Sequence, residues 1–163
     1  MNLKDLRSTE NFSEKDYNEL LQQAVAVISS SRLQIAKQLN TAAIATYWNI
    51  GRLLVERKIE SKYGDGIIKR LSVDLKSKYP NMGLSPRNLW NMKLFYLRYY
   101  KDSRKVQQAV AVLPWGHNLL LLNHDLASAH VLFYSNEVVT KGWSREMLRH
   151  ARSFHLGCCI PGL

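Results

Sequence analysis

Acidic residues are scarce in this chain, 13 Asp+Glu against 23 Lys+Arg, and the formal net charge is +10. Cysteine is scarcer still. The only two, Cys158 and Cys159, stand side by side, which excludes a disulfide scaffold and suits a reducing compartment. Four Pro and eight Gly exclude a collagen-like or linker-like chain. No apolar run has the length or purity to cross a bilayer, because the best stretch, residues 110–122, is broken by Pro114, Gly116, His117 and Asn118. The opening MNLKDLRSTENF lacks the apolar core of a signal peptide. These absences read as a soluble, cytoplasmic protein with no membrane contact. What remains is 163 residues at 46% hydrophobic, enough for one domain with a real core and unlike a disordered chain.

The positive charge is concentrated. Residues 1–50 hold five basic and five acidic residues, and residues 106–163 hold four and three. Residues 51–105 hold 14 basic and five acidic, nearly the whole excess. A basic block on a folded element is the footprint of a phosphate-backbone binder. A solvated face that maintains solubility and a surface for an acidic protein are the alternatives.

Helical periodicity dominates, so the sequence predicts an all-α fold. Ser13 and Asp16 form a capping-box pair at the head of the first helix. Apolar residues then recur at helical spacing over 14–37, where Ser29-Ser30-Ser31 is a point of bending, and over 40–60. Gly51 inside the second stretch implies close packing against a neighbouring helix. Tyr63-Gly64-Asp65-Gly66 reads as a break, followed by a helix over 67–79 with basic Lys69, Arg70, Lys76 and Lys78. Pro80-Asn81-Met82-Gly83 is a turn. Ser85 as N-cap and Pro86 at the first helical position then open a helix over 86–100. Residues 102–113 are ambiguous between loop, short helix and strand-like edge. Further helices are expected over 115–122, 125–140 and 144–154, with Gly142 as a stop and Ser144 as a cap.

The informative unit is the helix, turn and capped helix over 67–79 and 86–100, the order and length of a helix-turn-helix. At 100° per residue, Arg87, Asn91, Arg98 and Lys101 fall at about 0°, 40°, 20° and 320°, one polar stripe. Arg and Asn are the side chains that bond guanine and adenine edges in pairs. Arg87, Asn88 and Asn91 near the start of the second helix, Arg98 and Lys101 further along it, and Lys69 and Arg70 on the first are therefore the candidate nucleic-acid contacts. Helix pairs of this kind also build protein-interaction modules with no nucleic acid at all.

Residues 62–72, KYGDGIIKRLS, and 83–96, GLSPRNLWNMKLFY, resemble the YhcG family. So do Leu113-Pro114-Trp115-Gly116-His117 and the stretch from Phe133-Tyr134 through Gly142-Trp143-Ser144-Arg145-Glu146-Met147-Leu148. The resemblance covers residues 15–153 in family order. It implies a helical N-terminal domain that binds DNA through a helix-turn-helix, joined in these bacterial proteins to a C-terminal PD-(D/E)XK nuclease domain. It predicts an N-terminal arm at 1–12, the family's helical domain at 13–154 and an irregular tail at 155–163. The tail, HLGCCIPGL, is unlike the family's continuation, and the expectation is the nucleic-acid-binding half without the nuclease.

Enzyme readings fare less well. Glu56, Glu60, Asp65, Asp74 and Asp102 are scattered among cations and form no carboxylate cluster for Mg²⁺. Arg145 and His150, with four residues between them, are similar to the motif of HEPN-type ribonucleases, but a last-turn Arg and His are also favoured by the helix dipole. His155, Cys158 and Cys159 lack zinc-site spacing. His117, His124 and His130 have no nucleophile or carboxylate partner at a telling distance and read as packing or surface residues. The reading is a non-catalytic module for duplex DNA with no cofactor and no metal. The alternative is an all-α module that self-associates or assembles with a nuclease partner.

Overall fold

The computed structural model describes residues 13–59, 61–122 and 126–155, and, of these, the side chains of all but 61–64 and 154–155. The predicted arm at 1–12, His124 and the cysteines of the tail lie outside the described residues. The fold is all-α, with no strand among the described residues: α1 (Glu14–Glu56), α2 (Ser61–Lys78), α3 (Pro86–Tyr99), α4 (Arg104–Val112), α5 (Trp115–Leu122), α6 (Ser128–Lys141) and α7 (Arg145–His155). Described residues up to Gln38 form one compact unit and those from Leu39 onward another.

The capping box at the start of α1 forms as the sequence predicts. The Asp16 N–H donates to Ser13 Oγ at 3.1 Å, while the Ser13 N–H and hydroxyl donate to the Asp16 carboxylate at 3.0 and 2.7 Å. Those Ser13 donors hold the Asp16 carboxyl below the usual range. The two expected helices over 14–37 and 40–60 are a single α1. Three serines cost a helix only tenths of a kcal/mol each relative to alanine, too little to break a long one.

The C-terminal part of α1 carries Ile44, Gly51 and Leu54 into the core of the larger unit. The close approach expected at Gly51 is present: a Cβ there would lie 2.2 Å from the Met92 carbonyl oxygen of α3. The helix ends in a Schellman motif. The Ile59 N–H bonds the Leu54 carbonyl at 3.1 Å and the Lys58 N–H bonds that of Val55 at 2.9 Å. Lys58, at φ 51°, occupies the left-handed position that usually takes glycine.

The expected break at residues 63–66 is absent, because α2 begins at Ser61 and runs through both glycines. Glycine in a helix costs about 1 kcal/mol relative to alanine, less than the burial of Ile68 and its neighbours contributes. The buried Ser72 hydroxyl donates to the Leu84 carbonyl at 2.6 Å and ties α2 to the turn before α3. That turn and the start of α3 follow the sequence, with Ser85 accepting from the Asn88 N–H at 3.2 Å and Pro86 in the first turn.

The ambiguous residues 102–113 resolve as α4. Ser103 caps it by accepting from the Val106 N–H at 3.4 Å, and Val106 and Val110, one turn apart, are fully buried. At the other end, the buried Asn118 amide donates to the Val110 and Leu113 carbonyls at 2.9 and 3.3 Å, closing the last turn. Gly142 ends α6 in the left-handed conformation and Ser144 caps α7, both as read from the sequence.

Two apolar clusters result. One gathers Leu54, Ile68, Leu84, Leu89 and Met92; the other gathers Ile44, Phe95, Tyr99, Val106, Val110, Leu113, Leu121, Val131, Tyr134, Val138 and Leu148. Helix α3 supplies residues to both, and Tyr47 and Trp115 pack against both.

Candidate nucleic-acid interface

Helices α2 and α3 and the turn between them form the unit singled out in the sequence. Its orientation is set by α3. Leu89, Met92, Phe95 and Tyr99 are buried on one side. A ring of aromatic contacts then fixes the helix: Trp48 meets Phe95 at 5.7 Å and Tyr96 at 5.0 Å, and Phe95 meets Trp115 at 5.3 Å.

Arg87 is exposed at the first turn of α3, and Asn91, one turn on, is half-buried. Both line a surface depression with Gly83, Ser85, Asn88, Leu119, Leu120 and Arg145, so the start of α3, the middle of α5 and the start of α7 share one rim. The Arg145 side chain lies over Gly116, where a Cβ would come within 2.7 Å of its Cδ. His150 is exposed on α7.

Asn88 is spent inside the protein. Its amide nitrogen donates to the Gly83 carbonyl, and its oxygen accepts the Trp115 indole N–H at 2.8 Å. One side chain thus locks the turn and holds α5 against α3. Arg98 is likewise engaged: it donates to the Leu126 carbonyl at 2.6 Å and to Asp102 at 3.3 Å, and only 29% of its side chain is exposed. Asp102 also accepts from the Ser128 hydroxyl at 2.7 Å and the Ser103 N–H at 2.8 Å. Burial opposes its charge, yet Ser128, Ser103 and Arg98 together hold its carboxyl below the usual range.

Five further cations of the unit face solvent. Lys69, Arg70, Lys76, Lys78 and Lys101 are all exposed. Arg70 has a loose, wide-open ion pair with Asp74 at 3.9 Å, and Lys101 lies 5.3 Å from the Tyr100 ring. Lys93 differs, since it bonds the Ile59 carbonyl after α1 and covers the Trp90 ring at 5.0 Å. Sequence reasoning missed Trp115 and Lys93 as parts of this assembly, because their partners lie 27 and 34 residues away.

A protein-family model, the DUF1016 N-terminal domain, matches residues 23–155. The chain belongs to this family. It is also 36% identical over 164 residues to the protein named "Putative nuclease YhcG" of Escherichia coli (strain K12), an alignment covering 81% of this chain and 43% of that relative. The chain therefore spans less than half the length of the curated relative it matches. The resemblance read from the sequence motifs is thereby established. No solved structure matches the chain. Every candidate contact from Lys69 to Lys101 falls within the residues assigned to the DUF1016 N-terminal domain.

Among the described residues, no group of three or more His, Cys, Asp or Glu is arranged to hold a metal ion, and no helix is long and apolar enough to cross a membrane.

Proposed function

We propose that this DUF1016 N-terminal domain is a non-catalytic, cytoplasmic module that binds duplex DNA through α2 and α3. The observation that carries the reading is the set of exposed cations on the pair, Lys69, Arg70, Lys76, Lys78, Arg87 and Lys101, together with a capped second helix that carries Arg87 and Asn91 near its start, as the reading helix of a helix-turn-helix would. In this reading Arg87 and Asn91 form the base-reading edge. Lys69, Arg70 and Lys101 contact phosphates. Asn88 and Arg98 position the helix through the bonds they already make. The name of the Escherichia coli relative supports a nucleic-acid setting.

Titration with duplex DNA at two salt concentrations tests the proposal. Affinity should fall steeply with salt, and Lys69→Ala should weaken binding to all sequences and lower the salt slope by about one unit. Arg87→Ala should cost about 1–3 kcal/mol on a preferred site and little on random duplex. Salt-independent binding, or Arg87→Ala binding every duplex as the parent does, refutes it.

One observation favours the second reading, an interaction module. The outward side of α3 also exposes Leu94 and Leu97, at 50% and 40%. Apolar contacts of that kind suit a protein partner better than a phosphate backbone.

A further inference from the structure

Residues 14–38 of α1, considered as a unit by themselves, are one amphipathic helical segment in which every described side chain is exposed. Tyr17, Leu20, Leu21, Val25, Val27, Ile28 and Ile35 lie within one side of the helix, far more apolar surface than a solvated helix carries. A lone helix of this length, about 37 Å, is marginal in water without packing.

We propose that this segment pairs in antiparallel orientation with the same segment of a second copy of the chain. The sequence supplies two heptad series, one of Leu21, Ile28 and Ile35 and the other of Tyr17, Ala24 and Ser31. Antiparallel pairing centred on Ala26 sets a large side chain against a small one in two of its three kinds of layer. Leu21 sits opposite Ser31 of the partner subunit, Ile28 opposite Ala24 of the partner subunit, and Ile35 opposite Tyr17 of the partner subunit. Leu20, Val27 and Val25 flank this seam. Parallel pairing would instead place Ala24 on Ala24 and Ser31 on Ser31, leaving a gap and a buried hydroxyl pair.

Charge selects the same orientation. The first turns carry Glu14, Asp16 and Glu19 with Lys15 as their only cation, whereas Arg32 and Lys37 occupy the other end with no acid. The antiparallel arrangement brings acidic ends onto basic ends. The parallel one stacks like on like. This dimer is independent of the DNA reading and stands or falls without it.

Sedimentation equilibrium on the full chain reads the outcome. The expected mass is twice the 18.8 kDa of one chain, dropping to a single chain in the Leu21→Glu/Ile28→Glu double variant. Far-UV circular dichroism and an unchanged melting transition of the 39–163 unit show that the variant still folds. Orientation is read by disulfide trapping on a Cys158→Ser/Cys159→Ser background: mixed Tyr17→Cys and Ile35→Cys chains should cross-link to each other, and Tyr17→Cys alone should not. A monomeric parent at every concentration overturns the proposal, as does a double variant that stays dimeric. Efficient self-cross-linking of Tyr17→Cys overturns the antiparallel orientation.

Discussion

Replacing Gly51 by alanine should destabilise the 39–163 unit, although the same change in an ordinary helix is favourable. An alanine in a helix interior is worth about 1 kcal/mol over glycine. At Gly51 the new Cβ would lie 2.2 Å from the Met92 carbonyl oxygen and 2.8 Å from its carbon, both below the 3.0 Å that real Cβ atoms respect, and 3.1 Å from the Tyr96 Cβ. Two of these three atoms are backbone, so no side chain can swing aside. Helix α1 would have to retreat from α3 by most of an ångström, at the point where Met92 is fully buried and Trp48 packs edge-on to Phe95 and Tyr96. Overpacking of this kind costs about 1–3 kcal/mol, and loosening the aromatic contacts adds about 0.5–1.5 kcal/mol. After the propensity gain is subtracted, a net loss of about 2 kcal/mol remains. In a chain of this size that lowers Tm by about 4–8 °C. Gly66→Ala is the internal control. A Cβ at Gly66 meets nothing within 4 Å, so only the propensity gain operates and Tm should rise by a few degrees. Paired thermal melts decide the matter. If Gly51→Ala melts at or above the parent, the close contact between α1 and α3 is refuted.

Other positions give equally direct expectations. Lys58→Gly should stabilise by about 0.5–1 kcal/mol, because a lysine now holds the left-handed position, and the urea midpoint should rise with an unchanged slope. Asn118→Ala should cost about 1–3 kcal/mol in the same assay, since it takes the side-chain donor from the Leu113 carbonyl, leaves the Val110 carbonyl with only the Leu113 N–H, and opens a hole between α4 and α5. Asp102→Asn should cost about 1–3 kcal/mol at neutral pH by weakening its bonds from Ser128, Ser103 and Arg98. Because folding lowers the Asp102 pKa, its charge stabilises fully above the ordinary carboxylate range, about pH 4, and that contribution is lost as pH falls through the native value. The gap between Asp102→Asn and parent should therefore close in acid, and a gap constant from pH 7 to pH 3 would contradict the assignment.

Much of the fold could be read from the chain because its signals are local. Ser85 and Pro86 mark the start of α3 through side-chain and ring geometry within one turn, and Gly142 marks a stop by its backbone freedom. Gly51 could be read for a different reason: a glycine amid strong helix formers signals that something else approaches. Gly64 and Gly66 were read instead as a break, and that reading failed because they sit in a helix held by Ile68 and Leu71 rather than by propensity. Helix α4 was ambiguous because part of what secures it is distant, including Asn118 closing its last turn and α6 packing beside it. In the candidate interface, periodicity placed Arg87, Asn91, Arg98 and Lys101 on one stripe, yet it could not tell an exposed arginine from one bonded to Leu126. Asn88 shows the limit most clearly. Its residue type suggested a base contact, while both ends of its amide are occupied by Gly83 and Trp115, the latter 27 residues away.

The sharing of α3 between the two apolar clusters has a bearing on how the larger unit comes apart. Leu89 and Met92 cannot leave one cluster without dragging Phe95 and Tyr99 from the other, since 14 residues of one helix carry all four. Trp115 and Tyr47 add a second bracket, packed against both sides with their rings 4.9 Å apart. Amides in α2 and α6, though they serve different clusters, should then exchange with solvent through one common opening rather than two. A proteolytic cut in the 100–103 connection would leave Ile44, Phe95 and Tyr99 on one fragment and the rest of their cluster on the other, so α2 and α3 released from α4 to α7 would expose the buried faces of Phe95 and Tyr99 to water.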